Sequence, residues 1–261
     1  MTLHDRYARL TPYEIAFPDR DALQALIVEI AEEVEGRGAD PSNPHAFITM
    51  GAVGDFVREL QGSDAAPEAI HQYGALVFQA VHFTAAECPL YVLGAHASRY
   101  LVDGVPNGEP VPPSPAGYLQ LPQHLFWTVG GESDPAESID GMFWMISEAG
   151  LLHVLLVTGL RPDRPGFETI PVHAAPMAEA GEWLDTQARE SAPDFSSDLP
   201  GGELDGLYGM GAAGEALKLL ARFFAYSSGV PGALEPAEMP PQSDGGPIPS
   251  ILSHIRVTLH A

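Results

Sequence analysis

The stretch Gly104-Val-Pro-Asn-Gly-Glu-Pro-Val-Pro-Pro-Ser-Pro115 separates two kinds of sequence. Its five prolines fix φ and remove backbone donors, so it stays extended and excludes a helix. Before it, apolar residues recur at helical spacing. After it, the period changes. Tyr118-Leu-Gln-Leu121, Leu125-Phe-Trp-Thr-Val129, Met142-Phe-Trp-Met-Ile146, Leu151 to Thr158 and Phe167 to Val172 read as strands. Their connections are short and rich in Gly, Pro, Asp and Ser, which predicts an antiparallel meander. Several strands are apolar at consecutive positions. Both sheet faces are therefore expected to be covered, by helices on at least one side.

Toward the N-terminus, residues 1–19 read as irregular, with Pro12 and Pro18 as breakers. Asp19 or Asp21 caps a first helix. Leu23, Leu26, Ile27, Ile30 and Val34 form its apolar stripe, and Gly36 and Gly38 stop it. A second helix is predicted over about 45–61, with Phe47, Met50, Val53 or Gly54, Val57 and Leu60 inward. A third, over about 67–84, is apolar around much of its girth and so belongs near the centre of the core. A fourth, over about 89–102, starts at Pro89, a residue type suited to the first helical turn.

Toward the C-terminus, Met177, Ala180, Trp183 and Leu184 mark a helix near 177–190. The stretch 191–211 reads as loop, and a strong helix follows over about 212–227. Residues 229–250 are Pro-rich, and Ile255, Val257 and Leu259 alternate as in a half-buried edge strand. The expected fold class is α+β: a helical N-terminal layer packed on a largely antiparallel sheet, with further C-terminal helices. One compact unit, 1–261, is expected. Its parts are a helical subregion 20–103, the linker 104–115, a sheet subregion 116–173, a helical subregion 177–228, and a loop and edge strand 229–261.

Charge narrows the function. The 261 residues carry 12 basic against 35 acidic side chains, for a formal net charge of −23. Eleven of the basic residues are Arg and they are scattered, whereas nucleic-acid binders need a basic stripe. Neither nucleic acid nor an anionic membrane is an expected partner. A basic protein partner is compatible with this field. Cys88 is the sole cysteine, so no internal disulfide can form. The N-terminus lacks a secretory pattern and the longest apolar run, Leu151 to Leu160, spans about ten residues and carries His153. The expected localisation is cytoplasmic.

Catalytic signatures are sparse. Gly209-Met-Gly-Ala-Ala-Gly214 matches a dinucleotide-binding turn and precedes a helical pattern, but no buried strand is predicted before it. No P-loop, zinc signature or nucleophile elbow occurs, and no cofactor is implied. His71 and His82 share a helical face but lie about 16 Å apart along it, too far for one ion. Asp134-Pro-Ala-Glu137, with Asp140 beyond it, reads as a capping box on a helical turn rather than a carboxylate pair. Cys88, at the predicted start of the fourth helix with His82 or His96 in reach, is a weak candidate nucleophile and reads better as a buried small side chain.

Two features stand out more. Arg161 and Arg164 form a guanidinium pair in a turn after a core strand, suited to an anion or carboxylate, although Asp163 and Glu168 can pair with them locally. Tyr118, Phe126, Trp127, Phe143 and Trp144, with Gln120, Gln123 and His124 among them, either fill core or line a pocket. The reading that best fits the missing catalytic motifs is an acidic cytoplasmic interaction or regulatory protein without catalytic activity. The alternative is a small-molecule binder or enzyme whose pocket uses Arg161, Arg164, His124 and Trp127.

Overall fold

Eight strands among the described residues form one sheet, in the order β6-β5-β4-β2-β1-β8-β7 with β3 paired to β4. The structure is a computed structural model and describes residues 8–38, 40–61, 67–104, 109–123, 125–128, 137–158, 168–176, 203–237 and 250–259. The strands are β1 (Leu90–Leu93), β2 (Ala116–Gln120), β3 (Trp127–Thr128), β4 (Glu137–Ile146), β5 (Leu151–Thr158), β6 (Glu168–Pro176), β7 (Leu234–Pro236) and β8 (His254–Val257). The helices are α1 (Pro12–Ala16), α2 (Arg20–Arg37), α3 (Pro44–Ile48), α4 (Gly51–Gln61), α5 (Pro67–Ala85), α6 (Ala95–Asp103) and α7 (Glu203–Gly229).

Local chemistry sets most of these boundaries. Asp19 caps α2 by accepting from the backbone N–H of Asp21 and Ala22, and Gly38 ends it in the left-handed region at φ 62°. Thr11 and Glu14 form a reciprocal capping box on α1. That short helix stands where an irregular segment is predicted. The expected helix over 45–61 is two helices. Asn43 caps α3, the chain breaks at Thr49, and Glu33 of α2 then accepts from the backbone N–H of Gly51 and Ala52 to start α4.

The largest local departure is at 89–102. Pro89 does not open a helix. Glu87 and Cys88 both take positive φ, at 65° and 54°, while the Cys88 N–H bonds back to the Phe83 carbonyl at 2.8 Å. This reversal ends α5 and sends residues 90–93 into the sheet as β1, buried throughout. The strand pairs in parallel with both β2 and β8. The segment from Gly94 to Pro115, containing α6, is the long crossover that a parallel β1–β2 pair requires.

Two cores result, one on each face. On one, α1–α5 pack on Leu90, Val92, Tyr118, Phe143, Met145, Leu155 and Val157. On the other, α6 and α7 pack on Tyr91, Leu93, Leu119, Met142, Trp144, Val154 and Leu156. This overturns the expected architecture of a helical N-terminal layer on a largely antiparallel sheet with further C-terminal helices. The sheet is mixed and helices flank it on both sides, because its central strands are apolar on both faces and one layer would leave Trp144 and Leu156 in water. The predicted helix at 177–190 lies outside the described residues.

The interior is closely filled. Trp144, Tyr118, Phe143, Phe223 and Phe224 are fully buried, and Trp144 meets Phe224 edge-on at 5.3 Å. A Cβ at position 117 would overlap the Trp144 ring, so Gly117 lets the indole lie across β2. The indole N–H then donates to the Ser114 carbonyl at 3.1 Å, which fixes the end of the Pro-rich stretch against the sheet.

Candidate functional site

Two clusters of polar side chains lie on the α1–α5 side of the sheet, near opposite ends of β4. The first is built on a break in strand pairing. The β4–β5 register shifts between Ile139 and Gly141. Strict alternation would place residue 140 with Met142 and Trp144, against α6 and α7. The bulge turns it the other way, so the Tyr118 hydroxyl donates to Asp140 at 2.9 Å. Arg9 donates to the other Asp140 carboxylate oxygen at 2.8 Å and to the Leu121 carbonyl at 2.8 Å. Gln120, fully buried, accepts from the Arg9 backbone N–H and donates to its carbonyl. A Cβ at Gly141 would overlap the Tyr118 hydroxyl and the Leu119 carbonyl.

Burial, then the Asp140 charge, pushes Tyr118 well above the ordinary tyrosine value. The phenol is therefore a fixed donor rather than a base. The contacts of this cluster are with the protein itself. It joins the segment before α1 to the ends of β2 and β4. Glu14 extends the junction by accepting from the Ser250 hydroxyl and the Ile251 N–H, both at 2.9 Å.

The second cluster is less complete. His82 of α5 and His153 of β5 both meet the Phe78 ring edge-on, at 4.8 and 5.7 Å between centroids. His82 Nε2 lies 3.3 Å from the Pro41 carbonyl in the α2–α3 loop. His153 is 7% exposed, and its Nε2 has no hydrogen-bond partner. Burial, then the charge of His82, lowers the His153 pKa to about 4. Burial lowers His82 as well. Asp40 is held low chiefly by hydrogen bonds from the side chain and backbone of Ser42. Both imidazoles are thus neutral at neutral pH.

His82 also lines a cleft of about 160 Å³ with Ala85, Ala86, Pro115, Ala116, Met145 and Ile146. That is smaller than the roughly 300–1,000 Å³ typical of small-molecule sites. Among the described residues no group of three His, Cys, Asp or Glu side chains is arranged to hold a metal ion. Among the described residues no helix is long and apolar enough to cross a membrane.

Of the residues singled out from sequence, His124, Arg161 and Arg164 lie outside the described residues. Trp127 contributes its backbone to β3. The aromatic set is split between faces: Tyr118 and Phe143 join the α1–α5 core and Trp144 the α6–α7 core. Glu137 and Asp140 lie in β4, which removes the helical-turn reading of the capping box. The glycines of Gly209 to Gly214 lie inside α7, so they form no turn ahead of a helix. Cys88 precedes a strand, and His96 is exposed. Burial raises the Cys88 thiol pKa, against a nucleophilic role.

Sequence reasoning missed Arg9 and the pairing of Asp140. No local pattern links residues 131 apart. The signal for His153 was present, as the one polar residue between Leu151 and Val157. Comparison of the chain with protein-family models, with curated proteins and with solved structures finds no match.

Proposed function

We propose that this chain is an acidic, cytoplasmic, non-catalytic interaction or regulatory protein whose partner is a protein with a basic surface. The observation that carries this reading is where the cations go. Arg9, Arg37, Arg58 and Lys218 pair with Asp140, Glu33, Asp55 and Glu215 within the chain. Arg222 donates to the Leu101 and Val102 carbonyls at the end of α6. These five of the twelve basic side chains serve contacts within the chain, while carboxylates such as Glu29, Glu32 and Glu35 on α2 remain exposed. A net charge of −23 then dominates the field that an approaching molecule meets. Such a field speeds encounter with a basic surface and repels polyanions.

The test is a pull-down from source lysate at low and moderate salt, with nucleic acid digested. A specific basic protein should be retained at low salt and weaken as salt rises, since screening shortens the reach of surface charges. Recovery of no specific protein at either salt overturns the reading.

A further inference from the structure

His82 and His153 are 71 positions apart in the chain, yet Phe78 holds both within one apolar cluster. His82 lies in the last turn of α5 and touches the α2–α3 loop through the Pro41 carbonyl. Phe47 of α3 packs edge-on against Phe78 at 5.2 Å, so that helix rests on the same ring. His153 stands behind them on β5, with an unsatisfied Nε2. A neutral imidazole tolerates this site. An imidazolium there gains a second N–H that must find an acceptor or water.

The surroundings offer little compensation. Asp40 in the loop is the carboxylate coupled to both histidines, and it already accepts from Ser42 at 2.9 and 2.7 Å. His45 of α3, Glu87 after α5 and Glu148 between β4 and β5 are exposed. On β6, the irregular pairing between Leu152/Ala175 and Val154/Val172 leaves the backbone of His173 and Ala174 together opposite the single residue His153. A proton on either described histidine repels one on the other.

We propose that the His82–Phe78–His153 cluster is an acid-sensitive latch, closed while its imidazoles are neutral, whose protonation frees residues 40–48 and the end of α5 from the sheet and widens the cleft beside His82. Opening brings His153 into water, where its ordinary basicity returns. His153 is the group that takes up the proton, and His82 carries the change to the loop.

Hydrogen exchange of the intact chain, corrected for the intrinsic pH effect, tests this at about pH 7.5 and about pH 5.2, where one such histidine changes the opening equilibrium by roughly tenfold to twentyfold. Residues 40–48 and 78–86 should lose protection by about that factor, while β2 and α7 change little. His153→Phe and His153→Gln should each remove the response. A uniform change along the chain, a gain in protection on acidification, or the same response in a folded variant overturns the latch. Histidine resonances of the unsubstituted protein give a reading that needs no variant. A strongly depressed His153 titration supports the proposal, and titration near the ordinary value overturns it.

Discussion

The two polar clusters of the α1–α5 core differ in completeness. At one end of β4, Asp140 receives Arg9 and Tyr118 on separate oxygens, and Gln120 closes a backbone pair with Arg9. At the other end, His153 keeps one nitrogen without a partner and relies on remaining neutral. A satisfied buried network fixes one arrangement of the chain, because any other leaves a charge without a partner. An unsatisfied titratable group makes its arrangement conditional on pH. The first cluster behaves as a junction and the second as a switch, although both sit on the same face of the same sheet.

Asp140→Ala should give the largest effect. It leaves the Arg9 guanidinium and the Tyr118 hydroxyl without their acceptor, at a cost of about 2–4 kcal/mol given the partial exposure of Arg9. The urea midpoint measures it. A loss no larger than that of a surface pair would erase the contrast between the two clusters. Gly141→Ala comes next, at about 2 kcal/mol, because the new methyl must displace both the Tyr118 hydroxyl and the Leu119 carbonyl. Unchanged stability there would mean that the bulge is loosely packed.

Acidification should have a smaller, signed effect on the second cluster. The folded-state pKa of His153, about 4, lies below the ordinary 6.5, so the unfolded chain binds more protons in between. Stability is complete above the unfolded value and falls as pH drops toward the folded one. From about pH 7.5 to 5.5, His153 should contribute a loss of about 1 kcal/mol, absent in His153→Phe and read from Tm against pH. A flat wild-type profile over that window would sink the distinction drawn here. Smallest of all is Arg58→Ala. Arg58 and Asp55 are 56% and 79% exposed, so breaking this surface pair should shift the urea midpoint by less than about 0.5 kcal/mol.

Much of the local structure was legible. The stripe from Leu23 to Val34 coincides with α2, and the run from Leu151 to Thr158 with β5. In both, burial and periodicity carry the same message, so short-range pattern suffices. Residues 90–93 were not legible. Leu90, Leu93 and Ala97 fit a helical stripe, and a four-residue apolar run cannot be distinguished from a piece of helix by its period. Its state is decided by β2 and β8, which flank it in parallel and come from far along the chain. The Gly-rich stretch ahead of 212 misled in the opposite sense: residues 203–211, read as loop, lie inside α7, although glycine is a poor helix former.

The candidate sites divide in the same way. That a lone histidine interrupts an apolar strand can be seen in the residues themselves. That it meets Phe78 and His82 cannot.

The order of residues thus specified where chain segments are apolar, how α2 starts and stops, and how negative the molecule is, because capping, periodicity and net charge are properties of neighbours or of sums. Packing of distant segments decided the parallel placement of β1, the helices on both faces, the turn of Asp140 toward Arg9 and the convergence of two histidines on one ring. Those outcomes depend on which surfaces exclude water together, and that is settled only when the whole sheet has assembled.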